Sequence, residues 1–270
     1  HDSQLTYPKP AGPVRDLSYA MTNWLSAYAA DRVLFNSEYH RNVFFDHLPH
    51  LLRNFPDQTH EDLVDEVADR SEVLPVGVDL SWIEPKTGPN SPPRILWSHR
   101  WYHDKDPNEF ADAVEQLAAA GAEFELVLLG PRPPPPPTAL TRIRAAPGDR
   151  ILYDGEAPVD LYRKLVASSD VVVSTALQEF FGISVVEAIT AGCRPVLPNR
   201  LSYPGLIPAD YHETMLYPDG GLVEALITAL NEPLPPPGLQ AAMARYSWDE
   251  LAPVCDQRLQ QVATDAGVRS

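Results

Sequence analysis

The 270 residues predict an α/β protein built on doubly wound parallel sheets. Short, wholly apolar runs such as Val171, Val172 and Val173 sit between polar residues without alternation, as strands covered on both faces do. Between such runs lie segments of helical periodicity, several opened by a capping residue. From Arg94 onward strand and helix signals alternate with little interruption, a pattern that calls for parallel neighbours with helices on both faces.

The chain begins at His1, with no initiator methionine, in the polar stretch HDSQLTYP, of the kind found just after a strand. Asp16 is placed to cap a helix whose face carries Leu17, Ala20, Met21, Trp24, Leu25 and Tyr28. A short strand at 33–35 follows. Ser37 then caps a second helix bearing Val43, Phe44 and Leu48, with an interruption expected near Pro49. A third helix is expected at 62–69 on the solvent side, and a strand at 72–76 leads to Gly77. Two strands with their helices are too few for a self-sufficient domain, so residues 1–79 are expected to be the remainder of a first domain whose earlier strands are missing. Residues 80–93, with Pro85, Gly88, Pro89, Pro92 and Pro93, read as a linker.

A second domain is expected over 94–246. Its strands fall at 95–97, 124–129, 151–153, 171–174, 194–197 and 215–217. Asp106, Pro107 and Glu109 form a capping-box start for one helix, which stops at Gly121. Five consecutive prolines, Pro133 to Pro137, make a stiff surface loop or a polyproline ligand. Ser247 and Glu250 open a final helix running to about Val262.

Composition narrows the function. A hydrophobic content of 44% supports a sizeable core, and no apolar run is long enough to span a membrane. Cys193 and Cys255 are too few for a disulfide framework or a zinc site, which fits a reducing cytoplasm. The net charge of -16 works against loose binding to nucleic acid, so any RNA partner needs a local basic patch.

Chemistry concentrates in residues 170–200. The strand at 171–174 runs through a short loop into a helix that ends at Gly192, a residue suited to a left-handed cap. Such a unit sets a helix N-terminus at the carboxyl edge of the sheet, where free amides and the helix dipole favour an anion, with phosphate the obvious candidate. Glu179 lies in the loop and Glu187 about one turn inside the helix. Carboxylates would repel a phosphate and accept from hydroxyls, so the pair suits a ligand with both groups, a nucleotide sugar. The alternative is a helix with an acidic first turn, which the dipole favours anyway.

The loop Ser98-His99-Arg100-Trp101-Tyr102-His103-Asp104-Lys105-Asp106 leaves the first strand of the second domain at the same edge. Arg100 and Lys105 can place two cations on a diphosphate and stabilise the charge that develops as a sugar bond breaks. The alternative pairs both cations with Asp104 and Asp106. His99 and His103 stand at i and i+4, but a strand-to-loop context without H-E-x-x-H argues against a metal.

Three segments carry a family resemblance. E-F-F-G-I-S-V-V-E at 179–187 looks like the E-x7-E signature of retaining glycosyltransferases of GT-B type, built from two Rossmann-like domains. Together with HDSQLTYP and ILWSHRWYHDKDP it resembles the tRNA-queuosine mannosyltransferase family, over nearly the whole chain. The resemblance implies a complete second Rossmann-like domain that binds the nucleotide sugar, a truncated first one on the acceptor side, and a helix at 247–270 that crosses back to the first. It implies that mannose moves from GDP-mannose to queuosine in tRNA, with retention and without a metal or other cofactor. By the same resemblance Glu179 holds sugar hydroxyls, Phe181, Gly182 and Ile183 offer amides to the diphosphate, and Glu187 holds the ribose. His1 falls beside the reacting sugar. The family has His-Glu-Asn-Gln where this chain has His1, Asp2, Ser3 and Gln4, so two acceptor-side positions differ. A related transferase acting on a lipid or small molecule, and a non-catalytic nucleotide-binding module, are the competing expectations. An NAD-dependent oxidoreductase lacks the G-x-G-x-x-G it would need.

Overall fold

The structure, a computed structural model, describes residues 5–8, 17–55, 57, 59–84, 86, 88–146 and 150–267. The chain separates into two compact units, His1–Gly77 with Trp248–Ser270, and Val78–Ser247.

In the first unit α1 (Ser18–Ala29), β1 (Val33–Phe35), α2 (Glu38–Leu52), α3 (Val64–Asp69) and β2 (Ser71–Val73) follow in order. β1 and β2 pair in parallel, Val33 opposite Ser71 and Phe35 opposite Val73. Ser37 caps α2 as expected, its hydroxyl accepting from the His40 amide at 3.1 Å. Pro49 does not end the helix. Leu48, Leu51 and Leu52 are buried around it, and their burial outweighs the one missing hydrogen bond. Along α1 the buried stripe is Ala20, Trp24 and Ala27, whereas Leu25 and Tyr28 are exposed. The face is therefore rotated from the expected one, set by the Trp24 ring entering the core beside Phe35 and Phe44. The expected Asp16 cap lies outside the described residues. α3 lies at the surface as expected, with Asp65, Glu66 and Asp69 exposed while Val64 and Val67, three residues apart, turn into that core.

The second unit holds β3 (Arg94–Ser98), α4 (Pro107–Ala119), β4 (Glu125–Leu129), α5 (Thr138–Ala145), β5 (Ile151–Gly155), α6 (Val159–Ala167), β6 (Val171–Val173), α7 (Ile183–Thr190) and β7 (Arg194–Pro198). Two single turns, α8 (Tyr203–Leu206) and α9 (His212–Met215), lead to β8 (Leu216–Tyr217), α10 (Leu222–Asn231) and α11 (Leu239–Ala242). The six strands are parallel in the order β5-β4-β3-β6-β7-β8. The order reverses between β3 and β6, and in such sheets the ligand crevice opens at the carboxyl ends of those two strands. Trp97 of β3 stacks on Phe110 of α4 with ring centroids 5.6 Å apart, which seats that helix on the sheet. Asp106 accepts from the Glu109 amide at 3.2 Å and Pro107 opens α4, the cap read from the sequence. Gly192 sits at φ +102° after α7, where its amide bonds Ile189 and that of Cys193 bonds Ala188, a Schellman closure.

Two contacts brace β3, one at each edge of the sheet. At the amino end of β6 the buried Asp170 carboxylate accepts from the Asn90 amide (3.0 Å), the Asn90 side chain (2.8 Å) and the Arg94 amide (2.7 Å), and it pairs with Lys86. This fastens the stretch before β3 to the centre of the sheet. At the other end, Gly130 at φ +123° lies so close to the β3 loop that a Cβ would stand 2.1 Å from the His99 carbonyl oxygen. Gly130→Ala is therefore expected to lower stability by roughly 1–3 kcal/mol through backbone strain and a forced shift of that loop. Urea unfolding checks it, and an unchanged midpoint would contradict it.

α12 (Trp248–Gly267) groups with the first unit and runs five residues beyond the expected end at Val262. Arg258 pairs with Glu72 at 3.3 Å and Arg32 with Asp265 at 3.6 Å. No helix among the described residues is long and apolar enough to cross a membrane.

Candidate active site

Two loops meet over the β3/β6 crevice, 98–106 after β3 and 174–182 after β6. Main-chain amides and a buried threonine hydroxyl lock them together. The Leu177 and Gln178 amides donate to the Asp104 carbonyl at 2.8 and 3.1 Å, and Thr175 Oγ1 donates to the Lys105 carbonyl at 2.7 Å. Beneath them Ser174 Oγ meets the Tyr203 hydroxyl at 2.6 Å, and Tyr217 donates to the Ser174 carbonyl at 2.8 Å. Arg200, just past β7, donates to the Ala176 carbonyl at 3.1 Å while also reaching Glu109 of α4 at 3.3 Å. Loops held at this many points lose little further freedom when a ligand arrives.

Glu179 is satisfied on both sides. Its Oε1 accepts the Phe180 and Phe181 amides at 3.1 and 3.2 Å, and its Oε2 faces Lys105 Nζ at 3.3 Å. Lys105 is buried and also donates to the Gln178 carbonyl at 2.5 Å, with Asp104 Oδ2 at 3.5 Å. Arg100 stands at 56% exposure, 3.7 Å from Asp104 Oδ2, its guanidinium over the Tyr102 ring. The pairing alternative is thus realised at Asp104 for both cations, whereas Asp106 is engaged in capping α4. The Phe181 amide, expected to face a diphosphate, donates to Glu179 here. The amides of Gly182 and Ile183 have no acceptor among the described residues, and Gly182 at φ +103° turns the chain so that they open α7.

Glu187 lies on the next turn, half-buried, and takes a 2.5 Å hydrogen bond from the Tyr162 hydroxyl. Burial raises its pKa, and the Tyr162 bond and Arg163 draw it back. His99 is buried edge-on against Trp97, and burial followed by the Lys105 charge pushes its pKa down to about 3. A ring held neutral by that margin is a structural donor rather than a proton carrier near neutral pH. Among the described residues no group of three His, Cys, Asp or Glu side chains converges in a metal cage. His1, Asp2, Ser3 and Gln4 lie outside the described residues. Tyr162 and Arg200 did not emerge from the sequence. Each reaches its partner across a long separation in the chain, and no local spacing signals that.

In an α/β sheet of this strand order ligands bind at the switch point, and here that point holds a carboxylate, two cations and free helix amides. Residues 81–247 match the family model of glycosyl transferases group 1, and the chain belongs to that family. Residues 1–78 match the model of the tRNA-queuosine alpha-mannosyltransferase N-terminal region, so the narrower resemblance read from the three motifs is borne out. A tRNA-queuosine alpha-mannosyltransferase of Drosophila melanogaster is 30% identical over 220 residues, covering 78% of this chain and 58% of the relative. A 2-deoxystreptamine glucosyltransferase of Streptomyces kanamyceticus is 28% identical over 46% of this chain and 32% of its own length. The chain therefore spans less than two thirds of these relatives. Among solved structures, a sucrose-phosphate synthase from Thermosynechococcus elongatus superposes with a TM-score of 0.69 at 20% identity, over 93% of this chain and 63% of its own. The pneumococcal O-GlcNAc transferase bound to UDP and GlcNAc gives 0.67 at 14%, over 91% and 48%. The fold is of GT-B type.

Proposed function

We propose that this chain forms the donor site and part of the acceptor side of a retaining glycosyltransferase that moves mannose from GDP-mannose to queuosine in tRNA. The observation that carries the reading is the Glu179–Lys105 pair set beside the free amides of Gly182 and Ile183. A diphosphate arriving there takes Lys105 and the exposed Arg100 as counter-charges, together with those two amides, while that of Phe181 stays with Glu179. Its arrival frees Glu179 Oε2 from Lys105 to accept sugar hydroxyls. Glu187 accepts the ribose. As the bond from sugar carbon to phosphate oxygen breaks, the acceptor hydroxyl attacks from the same face and passes its proton to the departing phosphate oxygen. His1 contacts a sugar hydroxyl or the acceptor, and Asp2, Ser3 and Gln4 lie on the acceptor side. Side-chain cations and amides carry the leaving charge, so the route calls for no metal or other cofactor. A tRNA acceptor places the protein in the cytoplasm.

The net charge of -16 favours a second reading, transfer to a lipid or small-molecule acceptor. Incubating the protein with radiolabelled GDP-mannose and tRNA that carries or lacks queuosine separates the two. Label in the queuosine-containing tRNA alone is expected. Donor turnover with no label in either tRNA would overturn the tRNA acceptor and leave the transferase.

A further inference from the structure

Tyr162 occupies the first turn of α6, and its hydroxyl donates to Glu187 Oε2 at 2.5 Å. Burial and the Glu187 charge raise the phenol's pKa well beyond its ordinary value, so it keeps its proton at any working pH, and the Ser98 side chain hydrogen-bonds the same phenol. Ser184 Oγ in turn donates to the Ser98 carbonyl at 3.3 Å. Through its side chain and its carbonyl, Ser98 at the end of β3 is thereby linked to the first turns of both α6 and α7. Among the described residues no hydrogen bond reaches the second Glu187 oxygen, Oε1. A carboxylate with one oxygen pinned by a permanent donor and the other open presents acceptor lone pairs at a fixed angle. Without the pin, its torsions are free, and burial favours the protonated form, which accepts less well.

We propose that Tyr162 is a positioning residue for the nucleotide, clamping Glu187 through Oε2 so that Oε1 meets the ribose hydroxyls. This rests on the reading of Glu187 as the ribose acceptor given above. The competing role is purely structural, the phenyl ring packing α6 near α7, and a phenylalanine would serve that role equally.

The test compares GDP and UDP with their 2′,3′-dideoxy counterparts by calorimetry, in the native chain, Tyr162→Phe, Glu187→Gln and the double variant. The ratio of dideoxy to ribo Kd isolates the ribose contribution. In the native chain it is expected to be about tenfold for whichever base binds, as for a hydrogen bond to a charged group. It should fall to about twofold in Tyr162→Phe, with the dideoxy affinity held, and the double variant should lose no more than Glu187→Gln alone. A ratio kept in Tyr162→Phe but lost in Glu187→Gln would overturn the role of Tyr162 alone, as would equal weakening of both nucleotide forms. No ratio in the native chain would overturn the ribose reading of Glu187 and the clamp with it.

Discussion

Glu179→Gln is expected to reduce sugar transfer by roughly two to three orders of magnitude while leaving nucleoside diphosphate affinity within about threefold. The amide keeps an oxygen for the Phe180 and Phe181 amides, so the turn into α7 persists. It removes the charge that faces Lys105 and the acceptor that would take sugar hydroxyls. Lys105 retains the Gln178 carbonyl and Asp104, so its buried ammonium is not stranded. Diphosphate binding draws on Lys105, Arg100 and the helix amides, none of which the substitution deletes. Steady-state transfer kinetics beside GDP titrations measure both quantities. Equal loss of transfer and of GDP affinity would mean that Glu179 only supports the loop.

Asp170→Ala acts at the opposite edge of the sheet and is expected to change stability rather than chemistry. The substitution removes the acceptor for Asn90, for the Arg94 amide and for Lys86 at a carboxylate only 2% exposed. Deleting one member of such a buried charged network costs about 3–5 kcal/mol. For a domain of this size that corresponds to a fall in Tm of about 10 °C. Thermal unfolding followed by circular dichroism gives the value directly. A fall below about 2 °C would show that the stretch before β3 is held by other contacts.

The legible parts of the fold were those written in consecutive residues. The apolar run at β6, the Asp106-Pro107-Glu109 cap and the glycine after α7 each depend on neighbours within a few positions, and each stands where expected. Errors arose where tertiary packing chose between local options. Pro49 was absorbed because leucines on both sides of it are buried, and α1 rotated to bury Trp24. That Glu179 would stand beside Arg100 and Lys105 was readable because loops after neighbouring parallel strands emerge together, and the Glu179–Lys105 contact is present. The other partners were not readable. Tyr162 meets Glu187 across 25 positions, Asn90 meets Asp170 across 80, and Arg200 meets Glu109 across 91. The occupation of the Phe181 amide by Glu179 was equally hidden, since a carboxylate two residues upstream can as well point to solvent.

Calorimetric titration of the chain with GDP, UDP, ADP and NAD, alongside Arg100→Ala and Glu187→Ala, tests the donor site most directly. The account predicts selective GDP binding, weakened about tenfold or more in each variant, since one removes a charge-assisted contact to phosphate and the other the ribose acceptor. Selective UDP binding would keep the transferase and remove GDP-mannose as its donor. A well-folded chain that binds none of the four, or binds GDP equally with and without these side chains, would contradict a nucleotide-sugar site at the β3/β6 crevice.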